Sequence, residues 1–307
     1  MRILVVGAGA IGGFFGGRLL QAGCDVTFLV RPRRAADLAS AGLVIKSPLG
    51  DFVLPNPPTV QAGAITGKYD LVLLSCKAFD LEDAMASFGP GVGDQTAILP
   101  LLNGMAHLDV LAKAFGAARV LGGQCQIAVT LNEAREIVHL TPMLSMSFGE
   151  RDGSASDRIT AISAALAKGD FSAAASDNIM QEMWEKWVFL ATLAGATSAM
   201  RGPIGAIIAA PGGRDFILGL RDEVAAVATA EGFKPRQALI ERSQTLLTQE
   251  RSPLTASMYR DIKNGAQIEA DHVIGDLVRR ADALKTPAPK LRMIYTNLKT
   301  YEAQRGK

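Results

Sequence analysis

Through its first half the chain alternates short apolar runs with stretches of helical periodicity. "RILVV" at residues 2 to 6 is uninterrupted and rich in branched side chains, the pattern of a strand buried on both faces. Glycines then open a helical stretch, "GAGAIGGFFGGRLLQAG", which closes at Gly23. "DVTFLVR" at 25 to 31, "YDLVLLSCK" at 69 to 77, "TAILPLLNG" at 96 to 104 and "RVLGGQCQIAV" at 119 to 129 predict further strands. Strands separated by helical connections predict a parallel sheet wrapped on both sides.

After "MSFGERDGS" at 146 to 154 the texture changes to long helical periodicity. Helices are predicted over 157 to 168, 178 to 200, 212 to 232, 235 to 247, 252 to 263 and 267 to 284. The expected organisation is a sheet-containing domain over residues 1–170 and a helical domain over 171–307. One lysine, Lys186, opens the apolar stretch "EKWVFLATLAGATSAM" at 185 to 200. On pattern alone it reads as a lysine whose stem lies on apolar surface at a helix end.

Composition narrows the function classes. A hydrophobic fraction of 49% over 307 residues can fill a substantial core. Lys and Arg number 32 against 30 Asp and Glu, so no broad basic field gathers nucleic acid or anionic lipid. The expected partner is a small molecule. Cys24, Cys76 and Cys125 are widely spaced, and His107, His139 and His272 stand apart from one another, so no metal site is expected. The first apolar run is broken by glycine after five residues, which argues against a signal peptide, and residues 187 to 200 fall short of a membrane span. A cytoplasmic protein is expected. The apolar helices of the second half serve either a core or a homodimer interface.

Gly7, Gly9 and Gly12 stand in GxGxxG spacing directly after a strand and at the start of a helix. The first allows the tight turn, the second lets backbone approach a pyrophosphate, and the third lets helix pack on strand, with Ala10 and Ile11 completing the loop. The pattern predicts a dinucleotide site in a Rossmann-type α/β domain, followed by an all-α C-terminal domain. The second strand ends "FLVRPRR", where NAD-binding relatives of this motif carry an acid for the ribose hydroxyls. Arg31 follows that strand directly, and its guanidinium suits a 2′-phosphate, so NADPH/NADP is the expected cofactor. Arg33 and Arg34 fit an ordinary solvated basic loop.

Five segments together carry a family resemblance: the glycine loop, "CKAFD" at 76 to 80, "LLNGM" at 101 to 105, "WEKW" at 184 to 187 and "SMYRDIKNGAQIEAD" at 257 to 271. In order and spacing the chain resembles the ketopantoate reductases (2-dehydropantoate 2-reductases). The resemblance implies that Lys186 is the catalytic lysine and Glu269 the active-site glutamate. It implies further that Asn103 lies near nicotinamide and substrate, that Ser257 binds substrate, and that Lys77 lines the cofactor cleft. The implied reaction is NADPH-dependent reduction of ketopantoate to pantoate, on the route to pantothenate and coenzyme A, in a cleft between the two domains. An ammonium at Lys186 would stabilise the charge gathering on the ketone oxygen and deliver the proton. The Asn264-Gly265 pair predicts a helix break between Ser257 and Glu269, which on one straight helix would sit about 120° apart.

The chain departs from the family pattern where asparagines usually follow the lysine at four and eight positions. Leu190 and Ala194 stand there, and Ile268 replaces the usual threonine before the glutamate. Two readings follow. Thr192, Thr197, Ser198 or Arg201 replaces the lost contacts and ketopantoate remains the substrate, or the hydride chemistry serves a less polar 2-oxo acid, ketone or imine. A third class, a regulator that binds NADP without turnover, has no need of Lys186 or Glu269.

Overall fold

Branched apolar side chains build ten strands in the first part of the chain. They are β1 (Arg2–Val6), β2 (Asp25–Leu29), β3 (Leu43–Lys46), β4 (Phe52–Leu54), β5 (Thr59–Val60), β6 (Leu71–Leu74), β7 (Ala97–Pro100), β8 (Gly122–Leu131), β9 (Ile137–Gly149) and β10 (Ser172–Ala175). Between them in the chain run α1 (Ala10–Gln21), α2 (Pro32–Ala41), α3 (Leu81–Phe88), α4 (Ala106–Phe115) and α5 (Asp157–Leu166). This computed structural model describes residues 1–305.

A five-stranded parallel sheet has the order β5-β2-β1-β6-β7. Ile3, Leu4 and Val5 on β1 and all four residues of β6 are wholly buried, as the uninterrupted apolar runs predict. Each such side chain contributes about 1.5–3 kcal/mol by leaving water. Strand order reverses between β1 and β6, which is the switch point where open α/β sheets bind ligands.

The expected strand at 119 to 129 is a strand, but it does not join this sheet. Only an isolated bridge from Val120 to Ile98 touches it, and from Gly122 onward β8 pairs antiparallel with β9. The reason is the turn at Asn132. Its side chain accepts from the Glu136 N–H, and Arg135 takes a positive φ of 59°, closing a hairpin. The fifth parallel strand is instead β5, two residues long. The second sheet runs β10-β9-β3-β4, with β8 on β9. β9 carries a polar His139 and an exposed stretch at residues 140–143 that includes Pro142, so it lacks a continuous apolar run to betray it.

Helix α1 packs on strands of both sheets, and its paired glycines are the means. A Cβ at Gly16 would stand 2.6 Å from the Phe28 ring, while one at Gly17 would stand 2.8 Å from both Leu43 and Ile45. The sequence "GGFFGG" thus lets backbone approach side chains of β2 and β3, while Phe14 and Phe15 fill the core beside it.

The remaining helices are α6 (Ile179–Met200), α7 (Ile204–Ala209), α8 (Gly213–Ala230), α9 (Gln237–Leu247), α10 (Ser257–Lys263), α11 (Asp276–Ala283) and α12 (Pro289–Arg305). A π-helical turn, Asp271–Gly275, leads directly into α11. The chain divides into two units, one of residues 1–102 and 107–179, the other of 103–106 and 180–307. The first unit continues past residue 170 because β10 pairs with β9. Sequence periodicity missed α7, which is six residues long, and α12, whose buried positions are only Leu291, Ile294 and Leu298 in a polar helix. Among the described residues no helix is long and apolar enough to cross a membrane.

Candidate active site

In the first unit the predicted cofactor residues all follow the C-terminal ends of three neighbouring strands. Gly7 to Gly12 follow β1, Arg31 follows β2, and Lys77 follows β6. Gly7 has a φ of 93°, a backbone that L side chains rarely adopt. Gly9 caps α1 with no side-chain hydrogen bond, and a Cβ there would meet nothing within 4 Å. A Cβ at Gly12, by contrast, would collide with the Gly7 carbonyl oxygen and the Ser75 hydroxyl. One glycine therefore faces open space beside an uncapped helix N-terminus, and another is pressed on its neighbours. That combination fits a dinucleotide's pyrophosphate, because the N–H groups of the first turn are aimed outward with no acid among them.

Arg31 is exposed, and its Nη2 bonds Asp80 Oδ1 at 2.8 Å and Asp83 Oδ2 at 2.9 Å. These bonds raise its pKa, so its charge is permanent. Nε and Nη1 take no part in those two bonds, which leaves part of the fork for a phosphate. Arg34 is buried, contrary to the solvated loop expected of it. Its Nε donates to the Ala8 carbonyl at 2.9 Å, so it braces the glycine loop from behind. Among the described residues no group of three or more His, Cys, Asp and Glu side chains gathers as for a metal.

In the second unit, Glu269, Asn103 and the Trp187 neighbour of Lys186 are tied to one π-helical turn. The Glu269 carbonyl accepts from the N–H groups of His272 and Val273, at 3.2 and 2.9 Å. The indole N–H of Trp187, next to Lys186 on α6, donates to the Val273 carbonyl at 3.0 Å. The His272 imidazole hydrogen-bonds the backbone of Asn103. Lys186, Glu269 and Asn103 are each half-buried. The resemblance named all three, but the sequence did not show the turn, and "DHVIG" carries no pattern that distinguishes a π-turn from an α-helix.

Ser257 is anchored elsewhere on α6. It opens α10, and the N–H of Ala256 before it reaches Thr197 Oγ1 at 3.4 Å. Thr197 lies three helical turns beyond Lys186, about 16 Å along the axis at ~1.5 Å per residue. Leu190 and Ala194 occupy the same helix face between the two. The predicted break is present. α10 ends at Lys263, Gly265 takes a φ of 64°, and helix resumes only after Glu269.

Of the hydroxyls considered as replacements for the missing asparagines, those of the two threonines are spent inside the helix, while the buried Ser198 Oγ has no hydrogen-bond partner among the described residues. Thr192 Oγ1 donates to Val188 and Thr197 Oγ1 to Leu193, each at 2.7 Å, and both residues and Ser198 are wholly buried. Arg201 is exposed and lies over the Tyr301 ring.

Comparison with known proteins agrees along the whole chain. The family model described as "Ketopantoate reductase PanE/ApbA" matches residues 3–153, and its C-terminal counterpart matches 178–302. A Bacillus subtilis protein named "Uncharacterized oxidoreductase YkpB" is 38% identical over 305 residues, covering 99% of this chain and all of its own. A 2-dehydropantoate 2-reductase of Halobacterium salinarum is 25% identical, covering 96% of each chain. The crystal structure of 2-dehydropantoate 2-reductase from Geobacter metallireducens superposes with a TM-score of 0.89 at 28% identity, covering 98% of this chain and 99% of that one.

Proposed function

The chain belongs to the ketopantoate reductase family, and on that premise we propose that it uses NADPH to reduce the keto group of a small 2-oxo acid, with ketopantoate the first substrate to consider. It is an oxidoreductase acting on a CH–OH group. The observation that carries the reading is the π-turn to which Asn103, Glu269 and Trp187, the residue after Lys186, are all tied.

Bound NADPH would supply the hydride. The protein's own work is to hold and to protonate. Gly7 through Gly12 receive the pyrophosphate at the N-terminus of α1, Arg31 takes the 2′-phosphate, and Lys77 lines the cofactor site. Lys186 stabilises the negative charge that gathers on the carbonyl oxygen and donates the proton that completes the alcohol. Asn103 orients the reacting group, Glu269 holds the lysine or a substrate hydroxyl, and Ser257 takes a further polar group.

A second reading, a less polar 2-oxo acid, ketone or imine, is favoured by one specific observation. Leu190 and Ala194 line the α6 face beyond Lys186, and Thr192 and Thr197 are bonded to their own helix. Each polar group of a substrate left unpaired against such a face would lose about 1–3 kcal/mol. Steady-state loss of NADPH absorbance, with ketopantoate beside a panel of aliphatic and aryl 2-oxo acids, decides between them. Selective turnover of ketopantoate supports the first reading, and preference for apolar side chains supports the second. NADPH binding without turnover across the panel would replace both with a regulator that senses NADP.

A further inference from the structure

One half-buried titratable side chain has no role in the chemistry above. His272 lies in the second position of the π-turn, and its N–H donates to the Glu269 carbonyl. We propose that His272 is a positioning residue, which holds the Asn103 segment in place for the reaction by bonding its backbone and packing against Gly104. The proposal rests on the assignment of Asn103 to the substrate.

Two independent features support it. The first is the hydrogen bond from the imidazole to the Asn103 backbone. That bond favours the charged ring, so the ring is its donor and the Asn103 carbonyl accepts. The second is steric. Gly104 takes a φ of 78°, and a Cβ there would stand 3.0 Å from the His272 carbonyl oxygen and 3.1 Å from its Cδ2. The segment therefore turns closely over the imidazole, in a backbone conformation that L side chains rarely adopt. Because Asn103 is neither in a helix nor in a strand, no ladder of backbone bonds otherwise fixes its side chain. The turn supplies that rigidity: its residues 272 and 273 also hold Glu269 and, through Trp187, the α6 segment of Lys186. A π-turn offers this because its wider ring rotates the side chains that follow, and such turns recur at functional sites.

The test compares His272→Leu, which fills the space without a donor, with His272→Asn and His272→Gln, which keep one. For His272→Leu the expected result is a fall in kcat of about tenfold to a hundredfold, the cost of a misplaced reacting group, with NADPH affinity unchanged. At least one of the two amide variants should recover most of that loss. In a cycle with Asn103→Ala, the double variant should be no slower than Asn103→Ala alone within about threefold, because the imidazole acts through that residue. Hydrogen exchange at the amides of residues 104–106 should quicken in His272→Leu and not in the amide variant that restores activity. This last readout needs no turnover, so it tests the contact even if the panel of 2-oxo acids shows that the proposed reaction is wrong. Unchanged exchange in His272→Leu, a kcat like that of the unsubstituted protein, or losses that multiply fully in the double variant would each overturn the proposal.

Discussion

Arg236 donates its backbone N–H and its Nε to the same carboxylate oxygen of Glu185, at 2.9 and 2.8 Å, one residue before Lys186 on α6. Gln181 bonds that oxygen as well. Burial opposes the charge of Glu185, but these donors outweigh it and hold the carboxyl below its usual range. With Glu185 tied inward, its neighbour Lys186 is set about 100° around the helix axis. The ion pair thus fixes the rotation of α6 where the proposed proton donor sits.

Arg236→Ala should therefore destabilise the protein by about 2–4 kcal/mol, since it leaves a buried carboxylate without its main partner. Urea denaturation at neutral pH would measure this, and a midpoint equal to that of the unsubstituted protein would mean that water replaces the guanidinium at no cost.

Lys186→Ala should lower turnover by about a hundredfold to ten-thousandfold, the usual contribution of a positioned acid, while NADPH still binds. Fluorescence titration with NADPH beside steady-state kinetics separates the two effects. Equal loss of binding and turnover would remove the proton-donor role.

Arg31→Ala should weaken NADPH by about tenfold and leave NADH nearly untouched, because only the former carries the 2′-phosphate that a guanidinium would pair. The bonds to Asp80 and Asp83 already offset part of the guanidinium charge, which keeps the effect moderate even though its removal leaves those two carboxylates unpaired. An unchanged ratio of the two affinities would show that another group reads the phosphate.

Gly12→Ala should abolish dinucleotide binding and cost about 1–3 kcal/mol of stability, the range for overpacking a close contact. Its Cβ meets the Gly7 backbone as well as a movable hydroxyl, so the loop itself must shift. Gly9→Ala, where the Cβ meets nothing, should leave thermal stability intact and weaken binding alone. Calorimetric melts with and without NADPH distinguish the two variants.

The stability of the protein should fall as pH drops below about 6.5, in part through His272. Burial pushes its imidazole below the ordinary value, against the opposing pull of Glu269 and Asp276, while Arg279 adds to the lowering. Between the two values the unfolded chain binds a proton that the folded chain refuses, so the contribution is complete above the unfolded value and is lost on acidification. His272→Gln should flatten the fall in melting temperature between pH 7.5 and 5.5. Parallel curves for the two proteins would show that other groups carry the acid sensitivity.

The glycine loop, the first parallel strands and the helix break at Asn264-Gly265 were legible in the sequence because each rests on local constraints. Only certain residues tolerate a positive φ or a close backbone approach, and only a continuous branched run suits a strand with two covered faces. The long helices of the second unit were legible for the same kind of reason, while α12 was hidden because three apolar contacts suffice to seat a polar helix. Resemblance singled out Lys186, Asn103, Ser257 and Glu269 by order and spacing, with no geometry attached. What only the tertiary structure decided is which chain segments meet. β8 turned back on β9 instead of extending the parallel sheet, and Arg34 became a buried brace for the glycine loop. The hydroxyls of Thr192 and Thr197 turned inward to their own helix. The sequence by itself determined the local conformations, which short-range sterics and periodicity dictate. Partnership across scores of residues, such as His272 with Asn103, depends on packing that no local pattern encodes.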